Sequence, residues 1–184
     1  DQTLTSMGGR MLKHWLAFPL RDLKPIEERL DVVDALFKDD NAFETFSCHL
    51  KKIVDIERIV SKIATLKISP RALVQLGNSL GEISELKSYL SEKEDKVLKT
   101  LGKGFLENKK AIELIQSTLK EDAPVLLNKG EVIANGVSKE LDELRDLLQS
   151  GKTHLDDMLA RETERSKITS LKIAFNNVFG YYIE

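Results

Sequence analysis

Among side chains able to do chemistry, histidine comes first, because an imidazole can hold a metal ion or move a proton near neutral pH. His14, His49 and His154 are far apart in the chain, and none stands at a zinc-like spacing from another histidine or from Cys48. No metal site is expected from them. His14, beside Trp15, reads as trim on the packed side of a helix, and Cys48 as a small hydrophobe. The glycines of SMGGR at 6 to 10 and LGKGF at 101 to 105 complete no G-x-x-x-x-G-K-[ST] and follow no strand pattern, so they cradle no phosphate. Carboxylates in EERLD and LDELRD fall where a helix would turn them to solvent, which suits a charged surface better than acid–base work. The expectation is a chain with no catalytic residues, no cofactor and no metal of its own.

Length and composition narrow the class. The 184 residues suffice for one ordinary domain or slightly more. Twenty-eight basic side chains against thirty acidic ones, net −2, exclude a single-sign field over the whole chain and leave room only for a local basic surface. One cysteine forms no intrachain disulfide, and no apolar run is long enough for a signal peptide or a membrane span. A soluble, intracellular protein is the expectation. The first residue is Asp1 rather than Met, which suggests a piece of a longer polypeptide.

The elements that must position any site are mostly helical. Thr5 and Ser6 offer capping oxygens to a first helix that ends near Phe18-Pro19, since a residue before proline avoids the helical region. Pro25 suits the first position of a second helix, with Ile26, Leu30, Val33 and Phe37 as its buried stripe. Asp39 and Asp40 cap a third, and Ile53, Ile56, Ile59, Val60 and Ile63 mark a fourth that ends around Leu66. Ser69-Pro70 restarts the chain, followed by Leu73, Leu76 and Leu80, and two further helices are expected at 82 to 101 and 105 to 121 around Gly102 and Gly104. From 122 to 137 the helical period lapses into short β-like runs, and a structured loop or small hairpin is expected there.

Ser138 then caps a long helix whose Leu141, Leu144, Leu148, Gly151, Leu155 and Met158 alternate spacings of three and four. That is a heptad seam, so the helix should lie against a partner helix. From 138 to about 168 it would extend roughly 46 Å and project as an arm. Gly151 on the seam suggests a bend or a close helix crossing.

In the last fifteen residues, SLKIAFNNVFGYYIE, the period changes to two: Leu171, Ile173 and Phe175 alternate with Lys172, Ala174 and Asn176. With Asn176-Asn177 and Gly180 as turn residues, the pattern predicts a strand at 170 to 175, a loop, and a strand at 181 to 184. Arg161, Arg165, Lys167 and Lys172 against Glu162, Glu164 and Glu184 leave an excess of one positive charge, too little for composition alone to imply DNA. A long arm with a β tip suggests a device that reaches for something.

Four stretches carry a family resemblance. DQTLTSMGGRMLKHWLAFPLRDLKPIEERLDVVDAL at 1 to 36, DIERIVSKIATLKISPRAL at 55 to 73, NGVSKELDELR at 135 to 145 and SLKIAFNNVFGYYIE at 170 to 184 resemble, in that order, motifs of the MutS mismatch-repair family. The resemblance implies a mainly α fold: a helical core or lever-base domain at 1–137, a lever helix at 138–169 and the first hairpin of a β clamp at 170–184. It also implies that the clamp holds double-stranded DNA by its backbone, that two subunits encircle the duplex, and that ATP and Mg belong to an ATPase domain outside this chain. A MutL-type downstream repair factor is a further implied partner.

By the same resemblance Trp15, Leu16, Pro19 and Leu20 are structural, Arg29 and Arg71 make buried or capping hydrogen bonds, and Leu171, Phe175, Tyr181 and Ile183 form clamp core or cross-strand pairs. Lys172, Asn176 and Asn177 are the candidates for DNA-backbone contacts, because ammonium and amide donors satisfy phosphate oxygens without reading bases. Two other readings compete: a helical scaffold that binds a protein through its heptad arm, and a MutS paralogue acting on recombination intermediates.

Overall fold

The computed structural model describes residues 2–178 and 180–184; Asp1 of the opening motif and Phe179 of the terminal loop lie outside the described residues. Among the described residues eight α-helices, a 3-10 turn and a two-stranded antiparallel sheet follow one another. The fold is mainly α with a terminal hairpin. Residues divide into two compact units, Asp1–Ala134 and Asn135–Glu184.

Local chemistry sets most helix starts in the first unit. Thr5 Oγ1 accepts the Gly8 N–H at 3.0 Å and opens α1, Ser6–Ala17, which closes at Phe18 ahead of Pro19. Helix α2, Leu23–Phe37, begins two residues earlier than expected, so that Pro25 is its third residue rather than its first; any of the first turn's N–H groups can be lost without breaking a helical bond. Helix α3, Ala42–Leu50, starts from Asn41. Asp39, expected as its cap, accepts the Asn41 N–H just ahead of the helix at 3.2 Å with one carboxyl oxygen, and with the other accepts the Tyr89 hydroxyl and pairs with Lys93, each at 2.7 Å. Asp55 opens α4, Ile56–Ala64, and the chain leaves that helix at Leu66 with φ 55°. Ser69 Oγ accepts the Ala72 N–H at 3.3 Å and Pro70 stands first in α5, Pro70–Glu92.

Helix α5 is the axis of this unit. It runs unbroken through residues 81 and 82, where two helices were expected, because one glycine in a helix costs only about 1 kcal/mol against alanine and the helix is anchored by buried residues on either side, Ser79 and Leu86. The break comes instead at 93 to 95, where Asp95 Oδ1 accepts the N–H groups of Val97 and Leu98 and starts α6, Lys96–Lys103. Helix α7, Lys109–Thr118, then returns against α5. Ala35, Leu90 and Leu98 form the centre of the core, with Leu36, Phe46 and Phe105 packed around them. A Cβ on Gly102 would lie 3.0 Å from that of Leu90, so glycine lets α6 approach α5 closely. Ser79, a fully buried polar side chain of the core, donates to the Gln75 carbonyl at 2.8 Å and accepts the Val54 N–H at 3.1 Å.

The stripe Leu30, Val33 and Phe37 is not buried: these residues are 60, 63 and 89% exposed, and α2 instead turns Ala35 and Leu36 to the core. Small Ala35 permits a close crossing with α6 that the larger side chains would block. The segment from 122 to 137 is a structured loop, as expected, and not a small hairpin of its own. Leu127–Lys129 is a 3-10 turn ending at Gly130 with φ 68°, and Ile133 makes a single antiparallel bridge back to Leu119.

In the second unit Ser138 Oγ accepts the Leu141 N–H at 3.3 Å and opens α8, Lys139–Ser166. At 28 residues it is roughly 42 Å long. No residue of it is buried, and along the expected seam Leu144 and Leu148 lie in solvent. A Cβ on Gly151 would meet nothing within 4 Å, so no close helix crossing occurs at that position among the described residues.

Candidate nucleic-acid interface

The switch from helix to strand is local. Lys167 takes a left-handed conformation, φ 59° and ψ 19°, and its N–H donates to the Thr163 carbonyl at 2.8 Å, closing α8 without a glycine. Ser166 Oγ accepts the next N–H, from Ile168, at 3.3 Å. Strand β1, Ile173–Asn176, then pairs antiparallel with β2, Gly180–Ile183, in the register Ile173↔Ile183, Ala174↔Tyr182, Phe175↔Tyr181 and Asn176↔Gly180. Both strands start later or earlier than expected by one to three residues. Lys172 and Glu184 extend the ladder by exchanging backbone bonds of 2.8 and 2.9 Å.

That exchange defines the two faces. Since Lys172 and Glu184 are a hydrogen-bonded pair, Phe175 and Tyr181, three positions on, are a non-bonded pair whose side chains approach closely. Their rings meet edge to face at 5.1 Å. Ile173 and Ile183 share that apolar face, whereas Lys172, Ala174 and Asn176 alternate to the other. Phe175 and Tyr181 are nonetheless mostly exposed, so they stabilise the hairpin as a cross-strand pair rather than as a buried core.

Of the three candidate contacts, the structure brings two to one face and assigns the third to the turn. Lys172 is exposed and has no carboxylate within ion-pair distance among the described residues. Asn176 Oδ1 accepts the Val178 N–H at 2.8 Å, an Asx turn that occupies its oxygen and leaves its amide N–H group as the donor. Asn177 is exposed in the turn. The left-handed turn conformation falls on Gly180, φ 75°, and not on Asn176 or Asn177.

Three charged clusters escaped sequence reading because each joins residues about 30 to 50 positions apart. Arg10 donates to both oxygens of Asp55, at 2.7 and 2.9 Å, and to Glu57, tying α1 to the start of α4. The guanidinium bonds hold the Asp55 carboxyl well below the usual carboxylate range. Lys93 and the Tyr89 hydroxyl likewise lower Asp39. His49 Nδ1 meets Glu82 at 2.7 Å with Lys52 alongside; burial pushes Glu82 up, but these two bonds outweigh it and the net shift is downward. The only advance signal was that Asp55 and Asp39 stand at helix starts.

The remaining sequence candidates lie elsewhere. His14 is exposed and tilts against Phe18 at 5.0 Å, and Cys48 is exposed rather than packed as a small hydrophobe. Arg29 stacks 3.7 Å over the Trp15 ring instead of making a buried hydrogen bond, and Arg71 is exposed in the first turn of α5. Among the described residues no cluster of three or more His, Cys, Asp or Glu could hold a metal ion, and no helix is long and apolar enough to cross a membrane.

Residues 1–174 of this chain match the family described as MutS domain III, a span that takes in the helical unit and α8 and reaches the start of β1. The whole chain is 49% identical to the DNA mismatch repair protein MutS of Christiangramia forsetii, 47% to that of Phocaeicola vulgatus and 46% to that of Flavobacterium johnsoniae. Each alignment covers 100% of this chain and 21% of the relative, so the chain spans about a fifth of the proteins it matches. The chain belongs to the MutS family, as its domain III.

Proposed function

We propose that this chain is the lever and clamp part of a DNA mismatch-repair protein, holding duplex DNA by its backbone and coupling that contact to an ATPase domain outside these residues. The observation that carries the DNA contact is the exposed, unpaired ammonium of Lys172 on a hairpin face shared with the Asn176 amide. Such donors neutralise phosphates without reading sequence. In this reading the chain is not itself an enzyme; ATP and Mg bind the parent protein elsewhere, and a MutL-type factor acts downstream. Dimerisation would bring two such hairpins to one duplex, in a cytoplasmic setting. The end of α8 contributes rigidity, since a continuous helix transmits displacement along its axis better than a loop does.

The test is the salt dependence of duplex binding by the full-length protein. Removing one phosphate-neutralising side chain should reduce the magnitude of the log–log salt slope by about 0.9. Lys172→Ala is expected to weaken binding and flatten the slope by about that amount, equally for different sequences. An unchanged affinity and slope would remove Lys172 from the interface.

A further inference from the structure

The other concentrated charge in the molecule lies in the helical unit. Between Lys96 and Lys110 stand five lysines and one glutamate, in a chain whose acidic residues otherwise outnumber its basic ones. Glu107 is engaged by Lys87 at 3.2 Å and Lys109 at 3.6 Å. Asp95, at the head of α6, is occupied in capping Val97 and Leu98. Glu92 and Glu94, the other nearby acids in sequence, precede the helix.

Helix α6 sorts these charges by face. Leu98 and Gly102 are buried, with Val97 and Leu101 packed at the core's edge. Lys96, Lys99 and Lys103 are exposed and fall within about 60° of one another on a helix of 3.6 residues per turn. They line roughly 10 Å of one edge at 1.5 Å per residue. None of the three pairs with a carboxylate among the described residues. Three like charges on one helix face without counter-charges repel one another, and the arrangement gains when an anion covers it.

We propose that this lysine face of α6 is a second binding surface for the phosphate backbone of duplex DNA, separate from the hairpin. The inference rests on the proposed function for the choice of DNA over other polyanions. Lysine rather than arginine suits it, because a flexible point charge neutralises phosphate without the planar fork used in base or carboxylate recognition. The nearest aromatic, Phe105, is packed against the core, so the face offers no platform for stacking bases, and a duplex fits it better than a single strand.

The experiment is anisotropy titration of the full-length protein with a short homoduplex across a range of salt. Wild type is compared with a triple variant carrying Lys96→Gln, Lys99→Gln and Lys103→Gln, and with the corresponding triple lysine-to-arginine variant. These residues have similar helix propensities, so the fold should survive both changes. Expected is a salt slope shallower by about 2 to 3 in the glutamine variant and a wild-type slope in the arginine variant. Equal slopes in wild type and the glutamine variant overturn the inference while leaving the proposed function intact. Loss in both variants traces to structure rather than charge and overturns it too, as does unchanged DNA binding with lost retention on immobilised polyglutamate, which assigns the face to an acidic protein instead. Absence of duplex binding by wild type overturns the proposed function and this inference together.

Discussion

Helices α5 and α8 are the two longest in the molecule, and both carry apolar residues at alternating spacings of three and four, yet α5 buries seven residues and α8 buries none. Helix α5 is enclosed by α3, α4, α6 and α7, each bringing its own apolar face. Along α8 the leucines have the same spacing and none is buried; what holds it helical is its Ser138 cap, the Glu140 and Asp142 carboxylates in its first turn and Arg165 in its last. Amphipathic spacing is therefore a capacity to pack. Whether the capacity is used depends on which other surfaces are present.

Equivalent leucines on the two helices should respond very differently to truncation. Leu90→Ala, at a fully buried site between Ala35 and Leu98, should destabilise the first unit by about 2–5 kcal/mol in a denaturant titration. Leu148→Ala, the same change on α8, should stay within about 0.5 kcal/mol. Comparable destabilisation at both positions would mean that the α8 seam is packed in solution.

The two glycines give the next largest contrast. Gly151→Ala should raise the stability of α8 by about 1 kcal/mol, read as slower amide exchange along the helix, because its new Cβ meets nothing within 4 Å. Gly102→Ala gains the same propensity but places a Cβ 3.0 Å from that of fully buried Leu90, and should lose stability on balance.

Electrostatics of the first unit should show a smaller, pH-dependent effect. A carboxylate whose folded pKa is depressed contributes stability above its unfolded value, near 3.8 for aspartate, and loses it as the pH falls toward the folded value. Asp55, held down by Arg10, is such a group. Arg10→Ala should lower stability at pH 7, and the difference from wild type should shrink steadily as the pH is taken below 4, measured by urea unfolding at each pH. A gap that stays constant through that range would separate the Arg10 contribution from Asp55 ionisation.

Much of this molecule is local enough to be legible in its sequence. Thr5, Ser69-Pro70 and Ser138 mark helix starts because a hydroxyl bonds an N–H only a few residues ahead. The change from a period of about 3.6 to one of 2 after Ser170 locates the hairpin for the same reason, and the alternation alone places Lys172 and Asn176 on one face. The turn detail was less legible: Asn176 is held in an Asx turn while Gly180 takes the positive φ, a division of labour that depends on the strand register.

Packing between segments selected which of several competent surfaces became interior. Helix α2 carries two apolar stripes, and the larger one, with Leu30, Val33 and Phe37, gave way to the one containing Ala35, because a close crossing with α6 requires a small residue at the contact. Likewise Gly81 failed to divide α5 once Ser79 and Leu86 on either side of it were buried, and Arg10 found Asp55 across 45 residues of sequence. Cap, period and turn act over a few residues and are written in order along the chain. Burial and ion pairing act between segments that meet only after folding, so their outcome follows from the whole set of faces present and not from any one of them.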